Sequence, residues 1–412
     1  MPSLRPTSWQ NVRMGLAFLL FGATALVPQQ NPSIQAAVDA AKPGDVVLVS
    51  AGEYQGPVRL RSGVTLRSEG DDARGRLGLL RAEKTTIRGG VEMAKDACLD
   101  GFTVTDVGKY DEKVWRHDYE TRGQEQSHEP IGAPGLAGVA VAADCIVRGN
   151  IVHHVGYTGI AVTGGSPKII GNVCFRNMGG GIGSMRGAAP LIEGNLCYEN
   201  LFAGIGCDAS SPLIKGNECR DNVRAGIGVS DGSSPRVVGN RCAGNRRAGI
   251  GIRSGPSTRP VVEDNDCLDN GMAGIGVEEG ARPVLAGNRI VGNRLVGIGV
   301  SGSSSAVITG NRIARTGGAP PLVAVLPGSY ASLVGNTFEG GGVAGVLVRG
   351  EADVRDNRFV RTGASAGRAV WAQPGSKVTH GANAVEGWKE SVSASPGAVV
   401  TEVVPAPLPP AR

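Results

Sequence analysis

The sequence predicts an all-β solenoid, a single stack of short parallel coils, and three observations carry that expectation. Asparagine recurs in register at Asn150, Asn172, Asn195, Asn217, Asn240, Asn265, Asn288, Asn311, Asn336 and Asn357, in steps of 21 to 25 residues. A period of that size marks a repeat that cannot bury its apolar face alone and must stack on its neighbours. Two positions after these asparagines stand Val152, Cys174, Cys197, Cys219, Cys242, Cys267, Ile290, Ile313, Phe338 and Phe359, so one slot per coil wants an apolar side chain. Composition is the third: the chain has 65 glycines and 4% aromatic residues, and strand-length runs such as "AGIGV" and "PVLAG" are punctuated by Gly, Pro, Ser and Asn.

Taken in order, the chain opens with Arg5 and Arg13 ahead of an apolar run from Met14 to Val27. Ala23-Thr24-Ala25 offers small residues for cleavage, so residues 1–25 are expected to be a signal peptide. That makes the protein secreted or periplasmic, with no stable membrane span after cleavage. Asn31 and Pro32 then supply a cap and a first turn for a short helix over 31–43. Ile34, Ala37, Val38 and Ala41 fall on one of its faces, and Pro43-Gly44 stops it. Such a helix plugs the open end of the first coil, which solenoids require. "DVVLVSAGEY" and "GVTLRSEG" follow as strands.

From this point the stretch "IQAAVDAAKPGDVVLVSAGEYQGPVRLRSGVTL", followed by "GN" turns and "GI" strands, resembles the pectate-lyase-like right-handed parallel β-helix superfamily over roughly Asn31 to Trp371. The resemblance implies a single right-handed parallel β-helix of roughly ten to twelve coils over 26–387, with regular coils at 136–371 and a proline-rich tail at 388–412. It is specific for fold and poor for function, because the superfamily holds lyases, hydrolases, uronate epimerases, phage tailspikes and a copper-maturation protein. The chain has no hydrolase-type aspartate trio with a Gly-His-Gly motif.

Within the coils, the shared slot makes the cysteines small hydrophobes facing inward. Metal-binding cysteines come in close pairs, whereas these are singletons, one per coil. Neighbouring coils about 4.8 Å apart also sit too far from the Cβ spacing of about 3.8 Å that disulfides prefer. A second asparagine row, Asn177, Asn200, Asn222, Asn245, Asn270 and Asn293, lies five residues on. Both rows are expected to be turn ladders, with Asn bending the chain and bonding from coil to coil. Glu263, Asp264, Asp266 and Asp269 fit a solvated edge better than a calcium loop. No metal and no cofactor are expected. The net charge of +5 is modest and scattered, which argues against nucleic acid as a partner.

Two features depart from architecture. Residues 108–134 form an insertion that carries Tyr110, Trp115, Arg116, His117, Tyr119, Arg122 and His128, and His153 and His154 lie in a nearby turn. A loop this long in a tight solenoid is either a working part or a cover. The second feature is the outer face of the "GIG" strand. With the isoleucines inward, Gly206, Gly228, Gly251, Gly276 and Gly299 face outward, followed by Met185, Asp208, Ser230, Arg253, Glu278 and Ser301, with Asp231 alongside.

The expected function is to bind, and in an enzyme to process, an extracellular polysaccharide or envelope glycan. As a polyuronate lyase or epimerase, His117 or His128 serves as base, Tyr119 as acid and Arg116 or Arg122 as carboxylate clamp. Trp115, Tyr110, His153, His154, Asp208, Arg253 and Glu278 then bind substrate. The competing expectation is a non-catalytic cell-envelope module.

Overall fold

The computed structural model describes residues 22–73, 75–121, 136–361 and 367–403. The chain winds as a parallel β-helix in which each coil visits three sheets in turn, here called A, B and C. Sheet A runs from Thr24–Val27 to Val399–Glu402, sheet B from Gly52–Gln55 to Ala384–Glu386, and sheet C from Val58–Arg59 to Glu390–Ala394. Among the described residues sheet A has 16 strands and the others 14 each, more than the ten to twelve coils expected. The surplus lies at the two ends, where the strands lack the repeating Asn and Cys and so escape a count based on them. Strands Glu390–Ala394 and Val399–Glu402 extend the sheets into the segment read as a tail. At the other end Thr24 and Ala25, placed in the leader, pair with Val46 and Val47.

The first asparagine row is a continuous ladder. The Asn217 side-chain amide donates to Ile192 O at 2.9 Å and to Asn240 Oδ1 at 2.9 Å, while its own Oδ1 accepts from the backbone and side-chain N–H groups of Asn195. The pattern holds from Asn150 to Asn357 and continues to Asn383. These amides are buried, so satisfying them internally is obligatory. One expectation needs correction: the asparagines do not make the bend. The residue before each, a glycine except at Asp264 and Asp356, has φ between 54° and 68°. Glycine carries the left-handed turn because it has no Cβ to clash, which frees Asn to point inward. The second row bonds the same way, from Asn177 to Asn293.

Inside, the slot two residues past the first ladder forms the expected apolar column. Cys174, Cys197, Cys219, Cys242 and Cys267 are in direct register, fully buried and unpaired. The capping helix α1 spans Ile34–Ala40 and buries Ile34, Ala37 and Val38 at the N-terminal end. Its cap is Ser33 rather than Asn31: the Ser33 hydroxyl accepts from Ala36 N, and Asn31 instead donates to Leu26 O.

An excursion between the strands Thr65–Ser68 and Thr85–Arg88 carries helix α2, Leu80–Lys84. It lays Leu77 and Leu79 over Ile151 and Val173 on the outside of sheet B. Buried Arg81 holds it down, bridging Asp72 and Asp100 at 2.6 Å each. The sequence shows no periodic signal for this excursion, because its anchor is one charged residue reaching across coils.

Two expectations follow for stability. Asn217→Ala removes the amide that closes three coils together and strands buried partners, so it should destabilise by about 2–4 kcal/mol, read as a lower midpoint in urea. Cys219→Val should cost under about 1.5 kcal/mol, since Val152 fills the same slot, and native protein should show no thiol reaction in this column until it is unfolded.

Candidate functional site: the glycine groove of sheet C

The two glycines of each "GIG" repeat do different work. Gly249 has no room for a side chain: a Cβ there would meet Gly274 O at 2.7 Å, Asn270 Nδ2 at 2.8 Å and Cys267 Cβ at 3.1 Å. Gly204, Gly226 and Gly274 are crowded in the same way by the second ladder. Gly251, two residues on, faces out, and its Cβ would meet only Ala225 Cβ, at 3.7 Å. Gly276 has nothing nearer than Ala273 Cβ at 3.9 Å. Crowding therefore explains the first column and not the second. The outward column is in register from Gly183 through Gly206, Gly228, Gly251 and Gly276 to Gly299, and at Gly183, Gly251, Gly276 and Gly299 a Cβ would fit.

The middle of the strip, Gly228, Gly251 and Gly276, is the floor of a groove of about 290 Å³. One rim lies at the corner between sheets B and C. It stacks Phe202, Arg224, Arg247, Met272 and Leu295, each bonded by its backbone N–H to the carbonyl of the one before. The other rim follows the outward positions Asp208, Ser230, Arg253 and Glu278. Each coil thus contributes one residue to each rim. Asp208 is held above the usual carboxylate range by burial first and by neighbouring Asp231 second, with Arg253 opposing. Arg247 is pushed the other way by burial and by the charge of Arg253. The corner rim was not singled out from the sequence, although its residues share one column, three before each inward isoleucine. Alternation along the strand points to the floor and the far rim and stops at the turn.

The insertion, expected as a loop over 108–134, contains helix α3, Glu112–Glu120. Asp111 caps it, accepting from Lys113 N and Val114 N, and Trp115 and Tyr119 share a face at a spacing of four. The helix runs along the B–C corner. Trp115 is buried with Leu201, Phe202 and Val223, and its indole donates to Glu199 O at 3.2 Å. Arg176 lies 4.0 Å over its ring and Tyr119 stacks at 4.9 Å, so Trp115 offers no open face to a sugar. Arg246 lies over Tyr119 in turn, and burial raises the Tyr119 pKa.

At the other end Tyr110 donates to Glu112 at 2.7 Å and meets the His154 ring edge-on at 4.6 Å. Glu112 also takes Arg116 and Arg176, both at 2.9 Å. His153 and His154 face each other through their Nδ1 atoms, 2.6 Å apart. The structure therefore brings Tyr110, His154 and Arg116 together around Glu112, and Asp208, Arg253 and Glu278 together at the groove. His117 is exposed on α3, away from the groove lining. Arg122 and His128 lie outside the described residues. Glu263 and Asp266 pair with Arg236 and Arg289, as a solvated edge does.

Gly249→Ala should destabilise by about 1–3 kcal/mol, whereas Gly251→Ala should stay within about 0.5 kcal/mol of the parent; paired thermal melts read the difference. A pH dependence follows from the histidine pair. Burial, then the neighbouring His154, lowers His153 from 6.5 to about 4. The unfolded chain takes up that proton first, so this stabilisation is complete above pH 6.5 and is lost as pH falls toward 4. The parent's melting temperature should accordingly fall more steeply than that of His153→Gln between these limits.

The chain's fold resembles those of solved carbohydrate-active proteins. The catalytic unit of the GH87 alpha-1,3-glucanase from Streptomyces thermodiastaticus aligns over 90% of this chain and 70% of its own, at 15% identity and a TM-score of 0.55, a likeness of fold. The A-module of the mannuronan C-5 epimerase AlgE4 from Azotobacter vinelandii aligns over 94% of this chain and 98% of its own, at 14% identity and a TM-score of 0.48. No curated protein matches the chain by sequence. The family model for the right handed beta helix region matches residues 135–259 and 248–383. With the three-sheet coil, the inward ladders and a family match over more than half its length, the chain belongs to the right-handed beta-helix family.

Proposed function

We propose that this is a secreted β-helix protein that binds an extracellular polysaccharide along the glycine groove of sheet C and processes it there. The observation that carries this reading is the open glycine column. Gly251, Gly276 and Gly299 have room for a Cβ, so the bare backbone there leaves a flat lane that an extended polymer can occupy. Sugars present apolar faces, and the lane is apolar, floored by Gly and Ala, with Phe202 and Met272 at its edge. Secretion is supported by the charged and apolar character of the first 27 residues.

The polymer class that fits is acidic, as in a polyuronate. A lyase or epimerase removes the proton beside a carboxylate and needs a cation to neutralise that group. Arg253, which lines the groove, is the cation placed for this, whereas Arg116 lies on helix α3 outside the groove lining. Asp208 and Asp231, sharing one neighbourhood, suit the exchange of a proton, since one carboxyl of such a pair holds its proton more tightly. In this reading His117 and Tyr119 belong to the helix that braces the corner rim. The second reading, a non-catalytic envelope module, is favoured by the burial of Trp115, stacked on half-buried Tyr119, outside the lane.

Two variants separate these readings. Gly251→Leu fills the lane and should abolish glycan binding in a folded protein. Asp208→Asn should lower turnover of a polyuronate at least about a hundredfold with little change in affinity, as expected for a proton-transfer group. Turnover unchanged in Asp208→Asn, with binding lost in Gly251→Leu, would leave the non-catalytic module.

A further inference from the structure

The second asparagine ladder stops at Asn293, and the B–C corner changes character there. Thr316 stands where the next asparagine would fall, five residues after Asn311. Its neighbour Arg315 takes over the bonding: Nη2 donates to Asn293 O and Arg294 O, and Nη1 donates to Pro320 O at 2.8 Å. An asparagine would satisfy carbonyls without bringing a charge, whereas Arg315 buries one and is only 8% exposed. Burial alone pushes its pKa below the ordinary guanidinium range. Arg315 is in register with Gly340, and one coil further on Arg361 falls in the same column. Arg361 Nη1 donates to Gly342 O at 2.7 Å, and its guanidinium lies 4.7 Å over the Trp388 ring, which fixes it at the corner.

Both arginines line a pocket of about 660 Å³. Its other cations are answered. Arg312 bonds Glu339, the carboxylate in the lining, at 3.0 and 2.6 Å, and Arg289 bonds Asp266 at 2.8 and 3.1 Å. Arg315 and Arg361 have no carboxylate partner among the described residues, and residues 362–366, next in the chain, include no acid. The exposed turn Gly317-Gly318 borders the same pocket, and neither N–H is bonded to a carbonyl among the described residues. A buried charge left unpaired is costly. A guanidinium is weakly hydrated and presents a fork of donors that matches an oxyanion. We propose that this corner pocket is an oxyanion site that takes a sulfate or phosphate group, free or carried as an ester on a glycan, beside Arg315 and Arg361. Two unanswered positive charges match a dianion better than a single carboxylate. The volume exceeds what a bare ion needs and falls in the range of roughly 300–1,000 Å³ typical of small-molecule pockets, so a sugar ring bearing the ester fits as well. The pocket shares no lining residue with the groove of sheet C, so the site stands apart from the function proposed there.

The test is calorimetric titration of the purified full chain at low salt with inorganic sulfate, inorganic phosphate, dextran sulfate and uncharged dextran. The parent should bind an anionic probe saturably and leave uncharged dextran unbound. Arg361→Gln and Arg315→Gln should each weaken that binding at least about tenfold, as loss of a charge-assisted contact does. Circular dichroism checks that the coils remain folded, and Arg361→Gln carries the test if Arg315→Gln does not fold. Inorganic sulfate or phosphate bound as tightly as dextran sulfate, per sulfate, identifies a free oxyanion. Dextran sulfate bound at least about tenfold tighter identifies an ester on a polymer. Lys168→Gln, on the exposed face of sheet A, and Gly251→Leu, in the groove of sheet C, should bind inorganic sulfate and phosphate as the parent does. No binding of any anion by the parent, or affinity unchanged in Arg361→Gln, would overturn the inference. So would an equal loss in Lys168→Gln, which means diffuse attraction, or a loss in Gly251→Leu, which places the anion in the groove. The function proposed for sheet C survives failure of this site, since its own test is glycan binding in Gly251→Leu.

Discussion

The side-chain amides of the first asparagine ladder tie each coil to the next. Each Asn both donates and accepts along the stack, and each also satisfies a backbone carbonyl of the preceding coil. Because these groups are buried, a gap in the row leaves donors and acceptors stranded on both sides. The ladder fixes the register of all three sheets, and much else follows from it. The residue before each Asn must take the left-handed turn. The glycine facing the second ladder must stay a glycine, because Asn Nδ2 and the apolar column occupy its side-chain space.

That constraint acts on the inside and leaves the outside free to vary. On sheet C the outward glycines are not demanded by the ladder, and the rims beside them change chemistry from coil to coil. At the B–C corner the same freedom serves docking. The left-handed position ahead of the second ladder is held by His154, Arg176, Glu199 and Asp221 in successive coils, and then by Gly244, Asp269 and Gly292. A non-glycine residue in this region carries local strain. The helix α3 segment packs on three of these residues: His154 meets Tyr110, Arg176 covers Trp115, and Glu199 accepts the indole N–H. Burial of Trp115 with Leu201, Phe202 and Val223 offsets that strain.

The helix and the groove are thus neighbours with a shared wall. Phe202 belongs to both, packing toward Trp115 on one side and lining the lane on the other, with Arg224 laid 4.1 Å over its ring. Helix α3 stiffens the rim from behind, and Trp115 and Tyr119, covered by Arg176, Arg246 and each other, are unavailable as sugar platforms.

The repeat period, the inward column, the unpaired cysteines and the capping helix were all legible in the sequence, because each depends on a pattern of spacing and polarity that a stacked coil must obey. The outward glycine strip and Asp208, Arg253 and Glu278 were legible for the same reason, through alternation along a strand. What alternation could not give was the corner rim, since Arg224 and Arg247 sit in turns where period two breaks down. Nor could it tell the crowded glycine from the open one: both read as "G", and only the distance to Asn270 and Cys267 separates them. The fate of the insertion was equally hidden. Residue type suggested Trp115 and Tyr119 as working groups, but whether an aromatic face is open or covered depends on partners some 60 to 130 positions away, Arg176 and Arg246 among them. Local pattern determines which way a side chain points within its coil; contacts between coils decide what it finds there.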